Sequence, residues 1–321
     1  MATESSPSRG RPGRSPPTDA GRVAAARARL PAAVPILTRE PTLSFERHDR
    51  DVTSMTYVYP VVSRRAGGVS VGVNLNPNRK CNWQCIYCQV PGLSKGLPPA
   101  VDLGQLREEL RALLDDIVHG EFLARAVPPH ARRLHDVALS GNGEPTLSPQ
   151  FSEVVDLVGE VLSEFDLLGR VRVVLITNGS RVQSAQVRPA LRRLSELGGE
   201  IWFKLDLATR DGIASVNRAN VSAETHLARL RDAAGLCPTY VQTCMFRRRG
   251  EPPSDDELTA YLHALRTLHV DGSRLLGVLL YSLARPSQQP EATELAPVEP
   301  AWLERLATRI RSIGLDVRVS P

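Results

Sequence analysis

From Val69 onward, short runs rich in Val, Ile and Leu recur at intervals, and the stretches between them carry apolar residues at helical spacing. The runs fall at 69–75, 136–140, 171–177, 201–206, 240–246 and 275–281, and a helix at 302–313 precedes a last strand at 315–319. The first intervening helix, expected over 102–119, puts Leu103, Leu106, Leu110, Leu113 and Ile117 on one face. The second carries Phe151, Val154, Val155, Val158, Val161 and Leu162. Strands that are apolar almost throughout, each followed by a helix, describe a parallel sheet covered by helices. Polar motifs stand at the C-terminal ends of several of these runs, where β/α barrels place their chemistry, so a full or partial barrel is expected over an open sheet.

Two regions precede the alternation. Residues 1–30 are rich in Ser, Pro, Gly and Arg and too poor in apolar side chains to offset ordering entropy, so a disordered basic tail is expected there. Residues 31–68 form a mixed lead-in that ends at Gly67 and Gly68. The barrel domain, with its C-terminal extension, is expected over 69–321. The formal charge of +5 arises largely in the tail, where six arginines face Glu4 and Asp19. That leaves 34 basic against 33 acidic residues in the body, so charge alone does not nominate a nucleic-acid partner. No apolar run approaches the ~20 residues that cross a bilayer, and the N-terminus lacks the apolar stretch of a secretory signal. The expectation is a cytoplasmic protein with no membrane partner.

Three of the five cysteines lie within eight residues, in the segment KCNWQCIYC directly after the first strand. Cysteines this close cannot all pair with one another, and a chain of 321 residues has no need of a disulfide scaffold. Cys81, Cys85 and Cys88 can ligate three corners of a cubane cluster and leave the fourth iron open. A closed zinc site needs a fourth protein ligand, and His48, His119, Cys237 and Cys244 are remote in sequence.

The C-x-x-x-C-x-x-C spacing, with Tyr87 just before Cys88, resembles the signature of the radical S-adenosylmethionine (SAM) superfamily. The resemblance implies a partial (β/α)6 TIM-type barrel of the radical SAM type. It also implies a 4Fe-4S cluster whose open iron chelates SAM, and reductive cleavage of SAM to a deoxyadenosyl radical that abstracts hydrogen from a substrate. An electron donor such as flavodoxin or ferredoxin is implied with it.

Further motifs follow at successive strand ends. SGNGEPTL, from Ser140 to Leu147, resembles the family's GGE-type motif, with Asn142 in place of a glycine and Gly143, Glu144 and Pro145 matching. Its glycines are expected to supply positive φ where the backbone approaches a ligand. ITNGS offers Thr177 and Asn178 to a ribose or carboxylate. FKLDLA puts Lys204 and Asp206 on one side of its strand, either as a salt bridge filling the barrel or as catalytic groups facing a wet cavity. Asn217 and Arg218 follow, the guanidinium suiting the carboxylate of SAM. As the resemblance has it, Tyr87, Asn142, Gly143, Glu144, Thr177, Asn178, Asp206, Asn217 and Arg218 surround SAM.

Within the superfamily the chain looks most like the wyosine synthase group, from which it departs in having no cysteine before Cys81. The pyruvate chemistry of that group is therefore not carried over. The substrate is left open, with RNA as the favoured candidate. Alternatives are an activase of a glycyl-radical protein and a zinc-bound RNA-binding module. Three further features can serve a substrate: Arg247, Arg248 and Arg249 as phosphate contacts, Cys237 or Cys244 as a thiol, and residues 281–290 as a lid.

Overall fold

Val71, Val73, Val137, Leu139, Val173 and Leu175 are inaccessible to solvent. Three neighbouring strands are thus buried along their length, which requires cover on both faces of a sheet. The computed structural model describes residues 43–44, 54–63, 67–270 and 274–321, and the basic tail and most of the lead-in lie outside the described residues.

The elements run β1 (Val58–Ser63), β2 (Gly68–Val73), β3 (Lys80–Cys81), β4 (Ser94–Lys95), α1 (Leu103–Val118), α2 (Phe122–Ala126) and β5 (Leu134–Leu139). They continue through α3 (Phe151–Glu164), β6 (Arg172–Thr177), α4 (Val187–Glu196), β7 (Glu200–Lys204), α5 (Arg210–Asn217) and α6 (Ala223–Leu236). The chain closes with β8 (Thr239–Cys244), β9 (Phe246–Arg248), α7 (Asp255–Val270), β10 (Leu275–Tyr281), β11 (Leu295–Pro297), α8 (Pro300–Arg311) and β12 (Val317–Ser320). Eight strands form one sheet in the order β1-β2-β5-β6-β7-β8-β10-β12. Neighbours from β2 onward are parallel, and β1 is antiparallel to β2. Six strands in sequence order with helical crossovers make the expected partial barrel, extended by β12 at one edge and β1 at the other.

The edge strand β1 falls inside the stretch read as lead-in. Its Pro60 lacks a backbone donor and is tolerated because an edge strand need pair on one side only. Tyr59 lies opposite Gly72 on β2, and a Cβ on Gly72 would stand 2.1 Å from the Tyr59 ring. The glycine lets that ring lie against the sheet, where its hydroxyl pairs with Ser140 Oγ at 3.1 Å.

Helix α1 follows its expected apolar face, with Leu106, Leu110, Leu113, Leu114 and Ile117 buried, and Asp102 caps it by accepting from Gln105 N at 3.0 Å. Such helices cover the outer face of the sheet and form the main core with it. On the inner face a smaller cluster of Ala138, Val174, Trp202, Tyr240 and Leu279 fills the barrel floor. Beneath it, Trp202 Nε1 donates to Glu200 at 2.8 Å and Arg318 donates to the Tyr240 hydroxyl at 2.6 Å. The barrel is therefore closed below and open toward the C-terminal strand ends. No helix among the described residues is long and apolar enough to cross a membrane.

Candidate functional site

A cavity of about 300 Å³ opens above the inner apolar cluster, and Cys81, Cys85 and Cys88 all line it. The loop that carries them is held from several directions. Lys80 and Cys81 pair with Ser94 and Lys95 as the short ladder β3–β4. Gln84 N and Ile86 N donate to the carbonyls of Asn217 and Val216 at 3.2 and 2.9 Å, so the end of α5 serves as a template for the loop. Trp83 packs against Ile213 and Ala219 and meets the His226 ring at 5.3 Å. Asn82 accepts from Asn178 Nδ2 at 2.9 Å and donates to Ser180 Oγ at 2.8 Å, which fastens the loop to the end of β6.

The segment that follows β10 reaches the loop from the other side. Ser287 Oγ donates to the carbonyl of Ile86 at 2.7 Å, Gln288 N to that of Cys88 at 2.9 Å, and Gln289 Nε2 to that of Val90 at 2.9 Å. Arg285 Nε donates to Gln89 Oε1 at 3.0 Å. Residues 287–289 are thus a strap bonded to the cysteine loop, whereas the sequence suggested a lid.

Asp206 is 2% exposed and accepts from Tyr87 Oη at 2.6 Å, Asn217 Nδ2 at 2.7 Å and Cys244 N at 3.0 Å. Burial, together with this carboxylate, raises the Tyr87 phenol well above its usual range, so the phenol keeps its proton and donates. Asn217 Nδ2 also reaches Cys85 Sγ at 3.3 Å. Among the described residues no ion pair joins Lys204 to Asp206. Instead Lys204 Nζ stands 4.8 Å from the centre of the Tyr87 ring, and its side chain lines the cavity. Burial opposes the Lys204 charge, but Tyr281 and Asp206 outweigh it and the net shift is upward.

Glu144 is buried and serves as a second hub. Its Oε1 accepts from Thr146 N at 3.2 Å, Thr146 Oγ1 at 2.6 Å and Thr177 Oγ1 at 2.6 Å, and its Oε2 accepts from Asn178 N at 2.6 Å. Burial raises its pKa and these donors oppose the rise. The glycines of this motif have a different role from the one expected. Neither Gly141 nor Gly143 has positive φ. A Cβ on Gly143 would instead lie 2.2 Å from the Lys80 carbonyl, and one on Gly141 would lie 2.3 Å from Asn74 Oδ1. What the glycines permit is close approach of the β5 loop to the stem of the cysteine loop. Asn74 Oδ1 accepts from Asn142 N at 3.0 Å and Asn76 N at 3.1 Å, and Asn76 Nδ2 donates to the Lys80 carbonyl at 3.0 Å.

The structure brings most of the nominated residues together. Tyr87, Asn142, Gly143, Glu144, Asn178 and Lys204 line the cavity with the three cysteines. Thr177, Asp206 and Asn217 stand behind its wall and hold residues that line it. Arg218 is exposed, caps α5 with φ of +51°, and is ion-paired with Glu291. The arginine run is likewise engaged: Arg248 and Arg249 pair with Glu294, and Arg247 Nε donates to the Pro297 carbonyl at 3.1 Å. Cys244 lines the cavity, while Cys237 is buried and bonds toward the Gly199 carbonyl. Sequence reasoning missed Asn74, Asn76 and Asn82, as well as Gln242. This last residue is 1% exposed and lines the cavity, and its Oε1 has no hydrogen-bond partner. A buried acceptor left unfilled costs about 1–3 kcal/mol.

Residues 75–261 match the family model of the Radical SAM superfamily, which is more than half of the chain. The chain belongs to that superfamily. A radical SAM methyltransferase from Sphaerobacter thermophilus shares the fold with a TM-score of 0.53, at 15% identity, over 82% of this chain and 68% of that one. TYW1, solved with a lysine-pyruvate adduct bound, does so with a TM-score of 0.52 at 15% identity, over 78% and 74%. A protein of Helicobacter pylori named UPF0026 protein is 30% identical over 138 residues, a match covering 41% of this chain and 38% of that protein.

Members of this superfamily use SAM and an iron-sulfur cluster. The donor set fits such a cluster. Burial pushes the Cys81 thiol up to about 11 and the Cys85 thiol up to about 12, so they give up their protons only as metal binds. Among the described residues no three His, Cys, Asp or Glu side chains are gathered as a single ion would require. Thiols spread along one loop suit a polynuclear group, in which each meets a different metal.

Proposed function

We propose that residues 69–321 form the catalytic domain of a cytoplasmic enzyme in which Cys81, Cys85 and Cys88 hold a 4Fe-4S cluster. Asn142, Gly143, Glu144 and Asn178 line the adjoining wall and receive SAM. When bound, the pair supplies one-electron cleavage of SAM, giving a deoxyadenosyl radical that takes a hydrogen atom from the substrate. The supporting observation is that three thiols on one tethered loop share a single cavity with polar residues from four strand ends.

Each residue has a task on this reading. Tyr87 and Asn217, both bonded to Asp206, fix the loop on either side of Cys85. Thr177 and Thr146 hold the Glu144 carboxylate in place, and its Oε2, with one donor, keeps a lone pair for the SAM ammonium. The inner apolar cluster keeps water from the reacting region. Lys204 stands between the cysteine loop and the floor, on the path toward the substrate. An external one-electron donor such as flavodoxin or ferredoxin completes the reaction, and RNA is the favoured substrate.

Oxygen-free reconstitution is expected to yield about four irons and four sulfides per chain. With reductant, SAM should give deoxyadenosine. Cys85→Ala is expected to lose both properties, and continued SAM cleavage by that variant overturns the proposal.

A further inference from the structure

The cysteine sulfurs of the loop differ in what is donated to them. Cys81 Sγ accepts from the backbone N–H of Trp83 at 3.4 Å, and Cys85 Sγ accepts from the side chain of Asn217, through Nδ2, at 3.3 Å. Among the described residues Asn217 is the one side chain that donates to a sulfur of this loop. A second contact places the donor. Asn217 is 2% exposed, and its Nδ2 also donates to Asp206 Oδ2 at 2.7 Å. Asp206 accepts from Tyr87 Oη and Cys244 N as well, so its oxygens face donors, and the amide must turn its nitrogen toward them. An amide nitrogen carries two hydrogens, and with one committed to the carboxylate the other is left for Cys85. The main chain of the same residue is engaged separately, its carbonyl accepting from Gln84 N at 3.2 Å. A change of the Asn217 side chain therefore leaves the backbone template of the loop in place.

A donor to a ligating sulfur is not neutral toward the electron count of a cluster. One electron arriving from the external donor adds negative charge to the cluster and its sulfurs, so a hydrogen donated to a sulfur is held more strongly in the reduced form. Such a donor eases reduction, whereas the carboxylate of Asp206 opposes it. Asn217 is bonded to both. We propose that Asn217 is a positioning residue for electron uptake: its amide, aimed by Asp206, donates to the Cys85 sulfur and raises the reduction potential of the cluster held there. The inference rests on the radical SAM reading above, since it takes Cys85 as a cluster ligand. It gives Asn217 a task other than the contact with SAM that the sequence suggested.

The test uses holoenzyme reconstituted without oxygen and titrated with reductant in the absence of SAM, the reduced cluster being counted by electron paramagnetic resonance. Asn217→Leu, similar in volume but without a donor, is expected to lower the potential. At a fixed solution potential the ratio of reduced to oxidised cluster should fall about tenfold, equivalent to about 59 mV for one electron. Asn217→Met serves in its place should the leucine chain fail to fold. Tyr87→Phe removes a different donor from the same Asp206 oxygen, and its shift should be clearly smaller. Resonance Raman spectra of native enzyme reconstituted in D2O supply the signature of the bond. The iron–cysteine stretching bands should move, and the apolar variant should keep only the part due to Trp83. The proposal is overturned if an apolar variant with full iron content keeps the native potential, if Tyr87→Phe lowers it as far, or if the native bands do not move in D2O. Failure of the native enzyme to assemble any cluster would instead bring down the radical SAM reading, and this inference with it.

Discussion

The two levels of the cavity handle polar groups in opposite ways. Around the cysteine loop, Asp206 takes three donors and Glu144 takes four, and both carboxylates knit strand ends and loops together. One level down, Gln242 lies buried with its acceptor unused. Groups whose bonds are all made within the chain serve to place other groups, whereas an acceptor left open in a cavity wall is available to water or to a ligand. His226 adds a third case. Its Nδ1 is also unpartnered, but it stands outside the cavity, between the Trp83 and Phe203 rings.

The contrast is most exposed at Asp206. Replacement by alanine strands the Tyr87 hydroxyl, the Asn217 amide and the Cys244 N–H, and is expected to cost roughly 3–5 kcal/mol of stability. The loss should appear as a lower denaturant midpoint together with weaker iron retention, and an unchanged midpoint would show that the upper level is not a scaffold. His226 gives the next largest effect. Burial is the main cause that holds its imidazole at about 4, below the ordinary 6.5, so the folded chain binds fewer protons than the unfolded one between those values. The stability it confers is complete above pH 6.5 and is lost as pH falls to about 4, by about 3 kcal/mol in all. His226→Gln should flatten that acid limb in denaturation curves taken across the window, and an equally steep fall would assign it to another group. Arg249 marks the small end. It is exposed and its pairing with Glu294 is screened by water, so Arg249→Ala should leave both the unfolding midpoint and deoxyadenosine formation as they were. A sharp loss of activity there would restore a substrate role to the arginine run.

What the sequence discloses follows from how local each feature is. Strands β2, β5, β6, β7, β8 and β10 announce themselves through short runs rich in apolar and β-branched residues, as burial on both faces favours. Strand β1 does not, since VYPVVS contains a proline and draws its meaning from pairing with β2. The cysteines are legible from spacing alone, since three thiolates within eight residues have few other uses. Asp206 and Thr177 were nominated for ligand contact, yet they lie behind the wall, because a period of two gives the side of a strand and not the depth of a side chain. Asn74, Asn76 and Asn82 look like ordinary loop residues until the β5 and β6 loops are folded onto them. Gln242 carries no local signal at all. A glutamine in a strand becomes informative only once its neighbours are known to leave it unsatisfied.

The strap has a consequence for the order of events in the life of the chain. Ser287 secures a carbonyl of the cysteine loop that lies 201 residues earlier in the sequence. A ribosome adding residues in order exposes the three thiols long before it has made the segment that fastens them. The nascent loop therefore lacks one of its anchors until the chain has grown 201 residues past Ile86, and over that stretch of synthesis the cysteines are held by fewer bonds than in the folded protein.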